Sequence, residues 1–145
     1  NKELKVNKNY GENLPEIKVD PKLMRIVFQN LLSNAVKYTP EKGSVDVVIH
    51  KEGGELLIKI QDTGYGIPQH QQNKIFTKLF RADNVREKET DGTGLGLYIV
   101  KAIIDAASGK VWLESEENKG TTFFVSVPIK GMTKKEGSKG LEYTK

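Results

Sequence analysis

Asn30, Asn34, Lys37 and Tyr38 fall at i, i+4, i+7 and i+8, so one stripe of a helix would carry two amides, an ammonium and a phenol. An Asn side-chain carbonyl is a hard oxygen ligand suited to Mg2+, which keeps most of its waters and shares phosphate oxygens. A lysine one turn further on reaches phosphate as a point charge. The Tyr38 ring offers a surface for a base to pack against. A solvated polar face has the same composition, so the stripe alone decides nothing.

Two glycine-rich segments follow it. Asp62-Thr-Gly64-Tyr-Gly66-Ile67-Pro68 begins at the end of an apolar, strand-like run. A carboxylate with little access to water is costly unless it finds hydrogen-bond donors. The exocyclic amino group of adenine is such a donor, whereas guanine presents a carbonyl there and would be rejected. An Asp that caps the strand end is the plainer reading. The second segment, Gly92-Thr93-Gly94-Leu95-Gly96, directly precedes a helical pattern. Free amides and the macrodipole at a helix start attract anions, and glycine lets phosphates come close. A hinge would need the same glycines.

The elements that must position these groups follow from periodicity. Residues 2–10 and 15–19 read as short strands, joined by a turn at Gly11 to Pro15. Asp20 is an expected N-cap with Pro21 at the first helical position, and the helix should stop before Pro40. Its apolar face is Met24, Phe28, Leu31, Leu32 and Ala35. Strands are expected at 44–50 and 55–62 around Gly53-Gly54, and at 110–115 and 121–128 around Asn118 to Gly120. A second helix should run from near Leu95 to Gly109, with Gly109 as the left-handed capping residue. The stretch 69–90 is polar apart from Ile75-Phe76 and Leu79-Phe80, which predicts a mobile segment with a short helix. Strands that come in hairpins point to an α+β sandwich, a mixed sheet with helices on one face.

Bulk composition narrows the function classes. At 145 residues the chain is one domain in size, with no apolar run long enough for a membrane span and no signal pattern. It has no cysteine and only His50 and His70, which excludes disulfides and thiolate metal sites and disfavours histidine-based ones. The net charge of +4 comes from scattered lysines without aromatic interleaving, so a nucleic-acid partner is not expected. Residues 131–145 are rich in Lys, Gly, Glu and Ser and read as a disordered tail after a domain spanning 1–130. P-loop, dinucleotide-turn and protein-kinase signatures are all missing.

The combination resembles the catalytic and ATP-binding domain of sensor histidine kinases. Asn30-Leu-Leu-Ser-Asn34-Ala-Val-Lys37-Tyr38 is similar to their N box, and Asp62 to Pro68 to their first glycine box. Ile75-Phe76-Thr-Lys-Leu79-Phe80-Arg81 resembles the F box, and Gly92 to Leu97 the second glycine box. Gly109 to Ser115 and Gly120 to Phe124 are similar to the closing hairpin. Four boxes in order are far more specific than any one.

The resemblance implies the Bergerat-type ATP-binding fold, shared with gyrase, with ATP and Mg2+ as ligands. Asn34, with Asn30, would hold Mg2+; Lys37 would touch phosphate and Tyr38 would lie over the adenine. Asp62 would accept from the adenine amino group, with Gly64, Gly66 and Ile67 shaping the pocket and Thr122 supporting it. Residues 69–93 would form a lid in which Phe76 and Phe80 pack as anchors, Phe80 bordering the nucleotide. Arg81 would reach the γ-phosphate, and Gly92, Thr93, Gly94, Leu95 and Gly96 would give backbone contacts. Asn30 stands where ATPases of the fold place a Glu base. Neither His50 nor His70 has the context of a phosphoacceptor, which implies a partner: a helical dimerisation domain carrying that histidine, with a response-regulator receiver domain downstream. The fragment is then expected to be a cytoplasmic monomer from a homodimeric parent that could be membrane-anchored. A serine kinase of the anti-sigma type and a non-catalytic nucleotide-sensing module are the alternatives.

Overall fold

Alternating β-branched residues build the sheet of the protein, seen here in a computed structural model that describes residues 5–10, 20–77 and 96–129. The strands are β1 (Lys5–Tyr10), β2 (Ser44–Glu52), β3 (Glu55–Asp62), β4 (Lys110–Glu116) and β5 (Gly120–Pro128). Their order is β1-β2-β3-β5-β4. The pair β1 and β2 is parallel, and the other three pairs are antiparallel hairpins or their neighbours. Helices α1 (Pro21–Lys37) and α2 (Gly96–Ala106) pack together over one face. This is the expected two-layer α+β architecture with a mixed sheet. The strand expected at 15–19 lies outside the described residues.

Period two puts Val45, Val47, Ile58, Ile60, Phe123, Val125 and Val127 on the covered face, where all are buried. Val27, Leu31 and Ala35 of α1 and Val100 and Ile104 of α2 close the core from above. On the opposite face Trp112 stacks on Phe124 with centroids 5.1 Å apart and planes 5° apart, and the Lys59 ammonium lies 5.8 Å from the Phe124 ring.

Both ends of α1 are closed by side chains near those expected. The Asp20 carboxylate accepts the Lys22 amide at 2.9 Å. At the other end the buried Thr39 hydroxyl donates to the Ala35 carbonyl at 2.6 Å, one residue before Pro40.

The end of α2 differs from expectation. Ser108, not Gly109, takes the left-handed conformation, with φ of 63°. The Ser108 amide donates to the Asp105 carbonyl and the Gly109 amide to the Ile104 carbonyl, the paired bonds of a Schellman ending. Ala107 is the last fully buried residue of this end, and Gly109 already lies against the Ser126 carbonyl of β5, so the reversal falls one residue earlier. Ser108→Gly should raise stability by about 0.5 kcal/mol, the left-handed penalty less the added chain entropy. Urea denaturation checks this, and a lowered midpoint would contradict it.

Candidate functional site

The covered face of the sheet is apolar until its last row. Asp62 of β3 lies opposite Thr121 of β5, and Thr121 lies opposite Ser115 of β4. These three residues form a polar row beyond the apolar row of Ile60, Phe123 and Leu113. Asp62 is only 7% exposed. Its Oδ1 accepts the Gly64 amide at 2.8 Å and the Thr121 amide at 3.2 Å. Its Oδ2 has no hydrogen-bond partner among the described residues. Burial pushes the carboxyl up from 3.8 to about 6, against the pull of the two amides.

The segment after Asp62 is fixed from two sides. The Tyr65 amide donates to the Tyr38 carbonyl at the end of α1, at 3.1 Å. A side chain on Gly64 would overlap that same carbonyl and crowd Asp62 Oδ1, so glycine is required where strand end and helix end meet. On the other side the Asn118 amide donates to the Tyr65 carbonyl at 2.6 Å. The Ile67 amide donates to Ser115 Oγ at 2.9 Å, and Gln72 Nε2 bridges the Ile67 and Ser115 carbonyls at 2.9 and 3.1 Å. Gly66 is left-handed, with φ of 72°, and a Cβ there would run into the Glu116 backbone.

Along α1 and its C-cap, Asn30, Asn34, Lys37 and Tyr38 are all half-buried, so the stripe is not a fully solvated side. Asn30 Nδ2 donates to the Ile26 carbonyl one turn back at 2.8 Å. Its Oδ1 lies against Gly96 at the start of α2, where a Cβ would come within 2.8 Å of it. The stripe ends at Tyr38, whose carbonyl touches the Asp62 segment. Two amides and an ammonium thus follow one another along one helix stripe, and the Asp62 carboxylate lies on the segment that the Tyr38 carbonyl holds at its end. A ligand with an amino-bearing base and anionic groups matches that sequence of donors and acceptors.

Two sequence expectations need revision, and two residues of the site escaped the sequence. Thr122 points to the open face of the sheet with Phe124, and it is Thr121 that stands beside Asp62. Strand alternation through Phe123, Val125 and Val127 carried that information. The described part of the expected lid, 69–77, is held to the body: Gln69–Lys74 form a 3-10 helix, Ile75 is buried, and Phe76 meets Phe123 edge-on at 6.2 Å. Phe76 therefore packs as an anchor. Ser115 and Gln72 had no recognisable signal, because the bonds that tie them together across the fold, Ile67 to Ser115 and Gln72 to Ser115, span more than forty residues. Phe80, Arg81, Gly92, Thr93, Gly94 and Leu95 lie outside the described residues.

A family profile described as "Histidine kinase-, DNA gyrase B-, and HSP90-like ATPase" matches residues 19–131. Adaptive-response sensory kinase SasA of Gloeothece citriformis (strain PCC 7424) is 40% identical over 129 residues, 88% of this chain and 32% of that protein. The chain thus spans about a third of the length of this curated relative. Among solved structures, a nucleotide-free catalytic domain of histidine kinase ThkA superposes with a TM-score of 0.75 at 27% identity, over 88% of this chain and 81% of that one. Full-length ShkA in complex with AMPPNP superposes with a TM-score of 0.77 at 28% identity, over 92% of this chain and 27% of that one.

Proposed function

The chain belongs to the histidine kinase-, DNA gyrase B- and HSP90-like ATPase family, and on that premise we propose that it is the catalytic domain of a sensor histidine kinase. It binds MgATP and passes the γ-phosphoryl group to a histidine on a separate helical domain. The observation that carries this reading is the buried Asp62 carboxylate, with one oxygen held by two amides and the other without a partner among the described residues. An adenine amino group donates to that second oxygen. Thr121 flanks it in place of Thr122, and Gly64, Gly66 and Ile67 form the rim.

Tyr38 lies over the base and Lys37 meets the phosphates. The amide oxygens of Asn30 and Asn34 suit Mg2+, which when bound neutralises phosphate charge. Asn30 already spends its amide nitrogen on the Ile26 carbonyl, so its oxygen is the group left for a ligand. Arg81 meets the γ-phosphate, and Gly92, Thr93, Gly94, Leu95 and Gly96 give backbone contacts at the start of α2. Phe80 borders the nucleotide in the lid expected over 69–93, of which 69–77 packs on the body.

Phosphoryl transfer asks the protein for positioning and charge neutralisation. The bond between the γ-phosphorus and the bridging oxygen breaks, a phosphorus–nitrogen bond forms on the acceptor imidazole, and ADP leaves. Asn30 has no basicity with which to activate water, so bound ATP is spared from hydrolysis until the acceptor arrives. His50 sits 3.5 Å from Glu52 on β2 and pairs with Leu57, toward the opposite end of β3 from Asp62, and is not the acceptor. A response-regulator receiver domain takes the phosphoryl group next. The chain alone is a cytoplasmic monomer; no helix among the described residues is long and apolar enough to cross a membrane.

Calorimetric titration with ATP, with and without Mg2+, tests the reading. Mg2+ should tighten binding, and Asn34→Ala should remove about tenfold of that gain or more. Labelled γ-phosphate should reach a helical-domain fragment added in trans and not this chain alone. Stable label on this chain, or ATP binding indifferent to both Mg2+ and Asn34, would reject the proposal.

A further inference from the structure

The polar row at the sheet end can be resolved to single hydrogens. Ser115 Oγ lies 2.9 Å from the Ile67 amide, 2.9 Å from the Gly120 carbonyl and 2.8 Å from Thr121 Oγ1. A serine hydroxyl has one hydrogen and two lone pairs. The Ile67 amide can only donate, so it occupies one lone pair. The Gly120 carbonyl can only accept, so it takes the single hydrogen. What remains for Thr121 is the second lone pair, and the Thr121 hydroxyl must therefore donate to Ser115. With its own hydrogen drawn sideways, Thr121 Oγ1 offers the pocket lone pairs alone.

Asp62, directly opposite Thr121, also offers an acceptor: its Oδ1 is saturated by the Gly64 and Thr121 amides, which leaves Oδ2. The two residues are a directly opposed pair, and the Thr121 amide already reaches Asp62 Oδ1 at 3.2 Å, so both side chains border the same end of the sheet. A 6-amino purine brings two N–H hydrogens to such a pair. A 6-oxo purine turns an acceptor oxygen toward the pair and keeps only its N1–H as a donor there, and a buried polar site discriminates strongly when its groups are left unmatched.

We infer that Ser115 is a positioning residue which, by claiming the Thr121 hydrogen, keeps the row an all-acceptor surface and so sets the preference for 6-amino over 6-oxo purine nucleotides. This rests on the nucleotide reading proposed above. Ser115 itself is a strand away from Asp62 and acts through Thr121.

Affinities for MgADP and MgIDP, which differ only at the 6-position and its neighbouring ring nitrogen, measure the preference. The wild-type chain should favour MgADP. In Ser115→Ala the Thr121 hydroxyl is free to turn and donate to a 6-oxo group, and the ADP-to-IDP preference should fall about tenfold, in part by a gain for IDP. Thr121→Val should also lower the preference by removing one acceptor. Adding Ser115→Ala to Thr121→Val should change the preference no further, since the residue it acts through is gone. Equal loss of both affinities in Ser115→Ala would reduce Ser115 to a structural role and overturn the inference. So would an effect on the preference that persists in the Thr121→Val background. If Ser115→Ala does not fold, Thr121→Val alone decides, and an unchanged preference there overturns it. Failure of the wild-type chain to bind MgADP would overturn the nucleotide reading itself, whereas binding with an unaltered preference overturns only the role of Ser115.

Discussion

Asp62→Asn should yield a domain that is more stable without nucleotide and nearly blind to it. Burial holds the Asp62 carboxyl at about 6 instead of 3.8, so the folded state favours the protonated form. The associated stability is fully present below pH 3.8 and is lost as pH rises through about 6. At neutral pH the ionised group therefore costs the ligand-free fold about 3 kcal/mol. An asparagine keeps an oxygen for the Gly64 and Thr121 amides and carries no charge. Its amide hydrogens need new partners, which reduces the net gain to about 1–2 kcal/mol.

The same amide hydrogens would face the amino group of adenine, donor against donor. Loss of the matched bond in a buried site should weaken ADP at least about a hundredfold. Thermal denaturation at pH 5 and 7.5 checks the first half: the wild-type chain should lose stability between these values, and the variant should lose less. ADP titration checks the second. A variant that melts lower than wild type at pH 7.5, or that binds ADP as before, would remove Asp62 from the site assigned to it.

The second large effect is expected from Gly66→Ala. Two separate penalties meet at this position, a left-handed φ of 72° and a collision between any Cβ and the Glu116 backbone. Gly53 isolates the first, since it has nearly the same φ of 65° and nothing within 4 Å of where a methyl would stand. Gly53→Ala should therefore cost about 1 kcal/mol. Gly66→Ala should cost about 3 kcal/mol or more, because backbone cannot yield as a flexible side chain can. Relief requires the 64–67 segment to leave the hairpin, breaking the Asn118–Tyr65 and Ile67–Ser115 bonds. Nucleotide affinity should fall with it, although Gly66 lies four residues beyond Asp62, the group on this segment assigned to the base. Paired denaturation curves for the two variants measure the difference, and equal losses would show that the collision is relieved at no cost.

Local rules made much of this legible in advance. Asp20 and Pro21 marked the start of α1, the hairpins announced themselves through Gly53-Gly54 and Asn118 to Gly120, and helical spacing set the Asn30 to Tyr38 stripe on one wall. What failed was parity and distance. Thr121-Thr122 and Phe123-Phe124 are pairs of like residues, so side-chain type could not say which member faces the core; only the alternation extended to Val125 and Val127 does. At the end of α2, glycine's preference for a left-handed turn lost to packing, because Gly109 already lies against β5. Ile75 and Phe76 belong to the body since they fill space beside Phe123, which polar neighbours in sequence concealed. The bonds that Ser115 makes with the Ile67 amide and with Gln72 exist only once the sheet has brought β4 there.

Trp112 is the chain's single tryptophan, and it lies on the sheet face turned away from Asp62, stacked on Phe124. Its indole is three residues along β4 from Ser115, and Phe124 is three along β5 from Thr121. The protein thus carries one indole fluorophore, on the face of the sheet opposite Asp62. A change in its emission on adding nucleotide would report an effect carried to the far face of the sheet, along the two strands that hold Ser115 and Thr121.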